Sequence, residues 1–421
     1  MEEKKIRSIG IDLSSEFASI AYLEIGSSFP VSMSIIADDE KYVIPMILYK
    51  KKNMDEWLIG DEAVFASKNE VYGKENLVEQ VFLIYKKGEV KYIEGKEYSG
   101  EELLKKYVML LYNKARHMIG FSETDRVVFT AENLDAGLVY TIRQIYKELE
   151  GASGQLSIIS HTEAFAYYVV CNKRELWAND VSLFFMDKDK FFCQTMTTRK
   201  EKNKSTIFVE EEDLSGLVKY SRLTSEKLIQ EADEAFYQYL TEDYKTHIVS
   251  SVFFTGVGFY ENWCKKSLSE ICKKRRAFKG FNLYSDGAAA SVLQEGRADF
   301  TLYCQNRTLV NIGIVRIENG SEQNYVLSKA GVNWTEAGKR AEFLVDHTDC
   351  IKLVITSPFY SGQQILEIGL EDFPDRRDKT LFLEISLAYE NENNFEVTVE
   401  DKGFGELFKS SGKVIKKRIS L

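Results

Sequence analysis

Apolar and polar positions along the chain change rhythm near residue 300, and each rhythm predicts its own kind of element. The chain opens on a short apolar run, Ile9, Gly10, Ile11 and Leu13, which carries an acid, Asp12, and ends in a polar turn at Ser14, Ser15 and Glu16. A second apolar run at 17–23 follows, so the opening reads as strand, acid, turn, strand, a pattern also met in an ordinary hairpin. Residues 42–49 read as a strand, and 57–63 as a strand end passing into a helix. In 101–119, Leu104, Tyr107, Val108, Leu111, Ala115 and Met118 recur at three- and four-residue spacing, with Lys and Glu between them. That spacing predicts an amphipathic helix. Ser99 stands three residues before Glu102 and predicts a capping box. Strands at 126–130 and 156–159 then alternate with helices at 135–149 and 162–171. A hairpin is predicted at 181–186 and 191–196, with Asp187, Lys188, Asp189 and Lys190 at its tip. After it come a long helix at 226–244, a strand at 252–255 ending in Gly256-Val257-Gly258, and a helix at 261–274. A last helix opens at Asp286-Gly287-Ala288-Ala289-Ala290. Such alternation predicts α/β layering.

From 308 onward the helical period gives way to a period of two, in 309–315, 350–356, 364–370, 381–387, 395–399 and 414–419. About six to eight strands with polar turns predict an antiparallel β-sandwich. The expected domains are 1–299 and 300–421, with the boundary inside 299–305.

Composition narrows the function classes. With 421 residues, 44% of them hydrophobic, the chain is long enough for a large core. Its net charge of −10 argues against a nucleic-acid partner. Two local basic runs, Lys273-Lys274-Arg275-Arg276 and 413–418, read as solvated faces, with a docking site for an acidic partner as the lesser reading. The six cysteines (171, 193, 264, 272, 304, 350) contain no CxxC pair, and His117, His161, His247 and His347 form no ligand cluster. No metal site is expected, and free thiols suit a reducing compartment. The start, Met-Glu-Glu-Lys-Lys, has no apolar signal segment, and no apolar run approaches the ~18 residues of a membrane span. A cytoplasmic protein without membrane contact is expected.

Several stretches, in the right order, resemble the DnaK-type heat-shock chaperones (heat shock 70-like), which join an α/β actin-like ATPase domain of two lobes, ribonuclease H-like in fold, to an all-β sandwich. Residues 9–16 look like that family's first phosphate motif. Leu58-Ile59-Gly60-Asp61-Glu62-Ala63 looks like its VGDxA stretch, and 97–103 like its YSPEE helix start. Residues 158–168, with Thr162-Glu163-Ala164, are similar to its NEPTAAAxAY segment. Phe254-Thr255-Gly256-Val257-Gly258 looks like its adenosine motif, Asp286-Gly287-Ala288-Ala289 like the helix that follows, and 381–402 like its final sandwich strands. The resemblance implies that Asp12 faces a hydrated Mg²⁺, that Ser14 and Ser15 turn toward phosphate, and that Gly256, Gly258 and Asp286 contribute to a nucleotide site.

The departures decide the expected activity. The family's Gly and two Thr in the first turn are replaced by Ser14, Ser15 and Glu16, which sets a carboxylate against phosphate. Its DLGGGT loop is replaced by Phe185-Met186-Asp187-Lys188-Asp189-Lys190, which has no glycine to turn N–H groups onto a phosphate. Val81 stands near the position of its catalytic Lys, and His161 near that of its catalytic Glu; a His before a helix is more often a cap or a core side chain. Phosphoryl transfer depends on positioning and charge neutralisation, so little or no hydrolysis is expected, while Gly256 and Gly258 leave weak nucleoside binding open. The stretch from 186 to 252 is too short for the family's extra second-lobe subdomain, and its helical lid is expected to be missing. The expected function is a degenerate, pseudo-ATPase module that binds an extended peptide or partner protein and needs no cofactor. The alternative is a divergent chaperone binding ATP or ADP with Mg²⁺, its slow hydrolysis coupled to peptide release. A third reading is a scaffold that takes neither ligand.

Overall fold

The protein is described from a computed structural model covering residues 5–36, 41–69, 74–188, 190–201, 204–294, 300–318, 320–345, 349–376 and 380–421. Asp189 of the hairpin tip, His347, and the chain's first four residues lie outside the described residues. Two compact units are present, Met1–Phe300 and Thr301–Leu421, one residue from the expected boundary.

In the first unit, the strand Ile6–Leu13 is buried at every position except Arg7. It pairs antiparallel with Phe17–Glu24 and parallel with Thr124–Ala131. Gln155–Ser160 extends the sheet beyond Thr124–Ala131, and Val31–Met33 and Ile44–Pro45 both pair with Phe17–Glu24. A strand covered on both faces must be apolar throughout, so its sequence shows a run and not an alternation. One cover is the helix Leu283–Ala290. Ser8 Oγ donates to the Ala289 carbonyl at 2.6 Å. A side chain at Gly10 would place its Cβ 2.2 Å from the Ser285 carbonyl oxygen, so only glycine permits this approach.

A second sheet of the same unit runs, from its edge, through Arg276–Lys279, Val249–Thr255, Asp180–Met186, Phe191–Glu201 and Lys204–Asp213. Phe184, Phe191, Phe236, Phe254, Phe259 and Trp263 fill the space between this sheet and the helix Glu226–Thr246. Phe184 meets Phe236 edge-on at 4.9 Å. The predicted hairpin is present and gains a third strand, Lys204–Asp213. The capping box forms as expected: Glu102 N–H donates to Ser99 Oγ, and Ser99 N–H donates to Glu102 at 2.8 Å.

Three expectations need correction. The 42–49 strand is two short pieces, Ile44–Pro45 and Leu48–Lys50, because Pro45 cannot continue a ladder. The 261–274 helix spans only Lys265–Cys272, and Arg276–Lys279 beyond it is a strand. The last helix starts at Leu283, so Asp286 lies inside it.

The second unit has two four-stranded antiparallel sheets. One runs Ser321–Ser328, Asn311–Glu318, Cys350–Thr356, Gln363–Gly369, and the other Arg340–Val345, Leu381–Tyr389, Asn394–Asp401, Val414–Ser420. Ile312, Leu353, Leu383, Phe395 and Val397 from both sheets share one core. Eight strands in two sheets match the upper end of the period-two reading. Among the described residues no helix is long and apolar enough to cross a membrane.

Candidate functional site

Four turns of the first unit meet at one cleft, lined by Asp12, Ser14, Phe17, Phe185, Asp187, Thr255, Gly256, Tyr260, Phe281 and Tyr284 among others. The two sheets aim the ends of Ile6–Leu13, Asp180–Met186 and Val249–Thr255 at the same place, as α/β sheets do with the carboxyl ends of their strands. Asp12, Ser14 and Gly256 of the expected site residues stand on this cleft.

The Asp12 carboxylate is nearly buried, and its Oδ1 lies 2.7 Å from His161 Nε2. Ser14 Oγ donates to Oδ2 at 3.3 Å. His161 is the first residue of the helix His161–Cys171, whose N-terminus carries a second capping box at Ser160 and Glu163. The cap fixes where the ring points. The ring then stacks on Tyr284, with centroids 3.8 Å apart and planes 5° from parallel. Of the two readings of a histidine before a helix, the cap falls to Ser160, while His161 is a buried side chain and the partner of an acid 149 positions away. Its Nδ1 is buried and has no hydrogen-bond partner among the described residues. The resemblance sets both residues at one site, Asp12 toward Mg²⁺ and His161 near the catalytic Glu position, without implying that they bond to each other.

Aromatic rings close the rest. Tyr260 stacks on Phe281 at 4.0 Å, and Phe185 on Phe192 at 4.7 Å. The cavity left between them is ≈ 40 Å³. That is room for one or two waters, whereas sites for larger organic ligands run to roughly 300–1,000 Å³. At the mouth, Lys188 Nζ lies 2.6 Å from Glu16 Oε2, and Lys190 Nζ 2.6 Å from Glu132 Oε2. These two pairs tie the hairpin tip to the first sheet. Glu16, which the sequence sets against phosphate, is held by Lys188 and by Gln80, whose amide donates to it at 3.1 Å. The Asp187 carboxyl is pushed up, by burial first and then by Glu16, against the pull of the Lys188 N–H.

The remaining expected site residues do other work. Gly258 is not on the cleft: its missing side chain makes room for Met186, whose Cγ would sit 2.3 Å from a Cβ there. Gly256, at φ +89°, likewise clears the Met186 carbonyl. Ser15 does not line the cleft. Asp286 faces away from it and accepts from Ser32 Oγ at 2.7 Å. Among the described residues no group of three His, Cys, Asp or Glu is placed to hold a metal ion.

Burial pushes the Asp286 carboxyl up to about 7, against the pull of Ser32. Between the ordinary carboxylate range and that value the folded chain holds a proton that the unfolded chain has released. Its contribution is therefore full at acid pH and is lost as pH rises toward 7. Asp286→Asn, which cannot titrate, is expected to stabilise the chain more at pH 8 than at pH 5, by up to about 1.4 kcal/mol per pH unit across the window. Urea midpoints of both proteins at the two pH values measure this, and an unchanged difference rules it out.

The second unit has a cleft of its own between two sheet edges, Ser321–Ser328 and Arg340–Val345. It is a shallow, open groove of ≈ 420 Å³, lined by Arg316, Tyr325, Arg340, Ala341, Glu342 and Phe343. Tyr325 meets Phe343 edge-on at 5.5 Å, and the Arg316 guanidinium lies 4.8 Å over the Tyr325 ring.

Comparison with known proteins gives two matches. The family described as "Family of unknown function (DUF5716) C-terminal" matches residues 29–304, and "Domain of unknown function (DUF8552)" matches residues 307–421. No curated protein matches the chain.

Proposed function

The chain belongs to the family of unknown function DUF5716, through its C-terminal model region, and within it we propose a pseudo-ATPase relative of the DnaK-type chaperones that binds an extended peptide or partner protein. In this reading the first unit is an actin-like fold whose cleft has become structural, and the second unit is a sandwich that carries the binding. The observation that carries it is the Asp12–His161 pair at 2.7 Å beneath a cavity of ≈ 40 Å³. A working site would leave that carboxylate facing metal-bound water. Here an imidazole takes its oxygen and aromatic rings take the ligand volume, while Glu16 at the mouth is already paired with Lys188. The open edges of the second unit and the aromatic cleft between them suit a peptide held by backbone hydrogen bonds and side-chain pockets. A cytoplasmic setting belongs to the same proposal.

Calorimetric titration of the chain with Mg-ATP is expected to give no saturable heat up to about 1 mM, a binding free energy no better than about 4 kcal/mol. A peptide panel is expected to raise the melting temperature. A dissociation constant below about 100 µM, with turnover lost in Asp12→Ala, would instead establish the divergent ATPase. Silence with both ligands would leave the scaffold reading.

A further inference from the structure

The strand Arg276–Lys279 is the outermost strand of the second sheet, pairing parallel with Val249–Thr255 on one side only. Four features of this edge point to an occupant. Its Phe278 is 38% exposed, although its ring stacks on Phe253 at 5.0 Å. Beside Ala277 lies a cavity of ≈ 170 Å³ with an apolar wall of Phe254, Phe259, Cys264 and Leu268, and with Glu261, Asn262 and Lys279 also on its lining. The segment 261–280 carries seven Lys or Arg against two Glu, in a chain whose net charge is −10. Among the described residues Lys265 and Lys274, both exposed, have no ion-pair partner, whereas Lys273 pairs with Glu270 and Arg276 with Glu175.

An unpaired edge offers a ladder of N–H and C=O groups, and natural proteins usually guard such edges with charge. Here the charge is predominantly basic, seven Lys or Arg against two Glu in 261–280, and sits beside a mainly apolar cavity. That combination repels a second basic edge and attracts an acidic one. We propose that Arg276–Lys279 takes up an extended, acidic peptide segment as an added outer strand, with one large apolar side chain seated in the cavity beside Ala277. Alternation along the added strand sends successive side chains to opposite faces. One face then meets the cavity, which Ala277 and Phe278 both line. Nucleic acid fits less well, since the edge is short, apolar at its centre, and part of an acidic chain. This cavity shares no lining residue with either cleft described above.

The test uses the full chain and a fluorescein-labelled peptide of about eight residues, long enough to overlap the strand, alternating Glu with Val and Phe. Anisotropy is expected to show saturable binding, falling about tenfold or more in the Lys265→Glu/Lys274→Glu double variant. Both positions are exposed, so the melting temperature should not change, and hydrogen exchange should slow at 276–279 when peptide is added. A peptide with Lys in place of Glu should not bind. Equal binding by the double variant, or protection at 340–345 and not at 276–279, overturns the proposal. So does displacement by oligothymidine, which would make the edge a polyanion site. Self-association of the chain lost in the double variant overturns it too, since the edge would then belong to a second copy.

Discussion

Asp401→Asn is expected to destabilise the second unit by about 3–5 kcal/mol, the cost of breaking a buried ion pair from one side. Asp401 ends the strand Asn394–Asp401 and is fully buried. Its carboxylate accepts two parallel bonds from Arg376, each 3.0 Å long. It also accepts the Gly403 and Ser411 N–H groups at 2.9 and 2.8 Å. Arg376 goes on to the Lys409 carbonyl at 2.7 Å. One acid thus ties 402–412 to the strand it leaves. Asn supplies the same shape but puts an amide N–H against one group of donors and leaves the guanidinium buried without its counter-charge. Burial raises the Asp401 carboxyl, but its hydrogen bonds outweigh that and hold it below the usual range. Its stabilisation is therefore present above the ordinary carboxylate range and is lost only as pH falls through the depressed value. Chemical denaturation at pH 7, with hydrogen exchange read at 402–412, measures the effect. A cost below about 1 kcal/mol, the size of a surface pair, would show that the loop is held by something else.

What could be read from the sequence follows the range of the cause. Local causes were legible. The Ser99–Glu102 box and the apolar stripe of Gly100–Ile119 need nothing beyond their own residues, and neither does the period-two rhythm after residue 308. Causes from distant residues were not. The helix expected at 261–274 starts at Lys265 because Asp233, from the helix Glu226–Thr246, accepts the Lys266 and Ser267 N–H groups at 2.7 and 2.9 Å. A cap supplied from more than thirty positions away leaves no local signal. Likewise Asn282 makes no side-chain cap, so nothing marked Leu283 as a helix start, and Asp286 took that place in the reading.

The candidate site shows the same division. Asp12 and Ser14 were legible because a strand–acid–turn pattern is local. The glycines were read as ligand contacts, yet Gly256 and Gly258 are equally explained by the space Met186 occupies. Tyr260, Phe281 and Tyr284 carry no motif, although they set the volume of the cleft. An aromatic residue lining a filled cleft and one buried in a core look alike along the chain, since both are apolar positions next to small ones.

His161→Ala tests whether the cleft is closed from within. In the wild-type protein His161 is the close partner of a carboxylate that is 7% exposed, and Ser14 contributes only a long bond of 3.3 Å. Removing the imidazole leaves that acid buried and poorly paired, at a cost of about 1.5–3 kcal/mol, the size of a hydrogen bond to a charged group. The lost stacking on Tyr284 adds about 0.5–1.5 kcal/mol. Asp12→Asn keeps a group of the same size and is expected to cost less. The double variant Asp12→Asn/His161→Ala should then lose clearly less than the sum of the two single changes, with a coupling of about 1.5 kcal/mol or more. If Asp12 were instead held mainly by water in the nucleotide-free chain, His161→Ala would leave the denaturation midpoint nearly in place. Equilibrium unfolding of the four proteins, without nucleotide, therefore tests whether this pair closes the cleft, and the Mg-ATP titration tests activity. Additive losses would show that Asp12 and His161 are neighbours without being partners, and the reading of a cleft closed from within would fall with them.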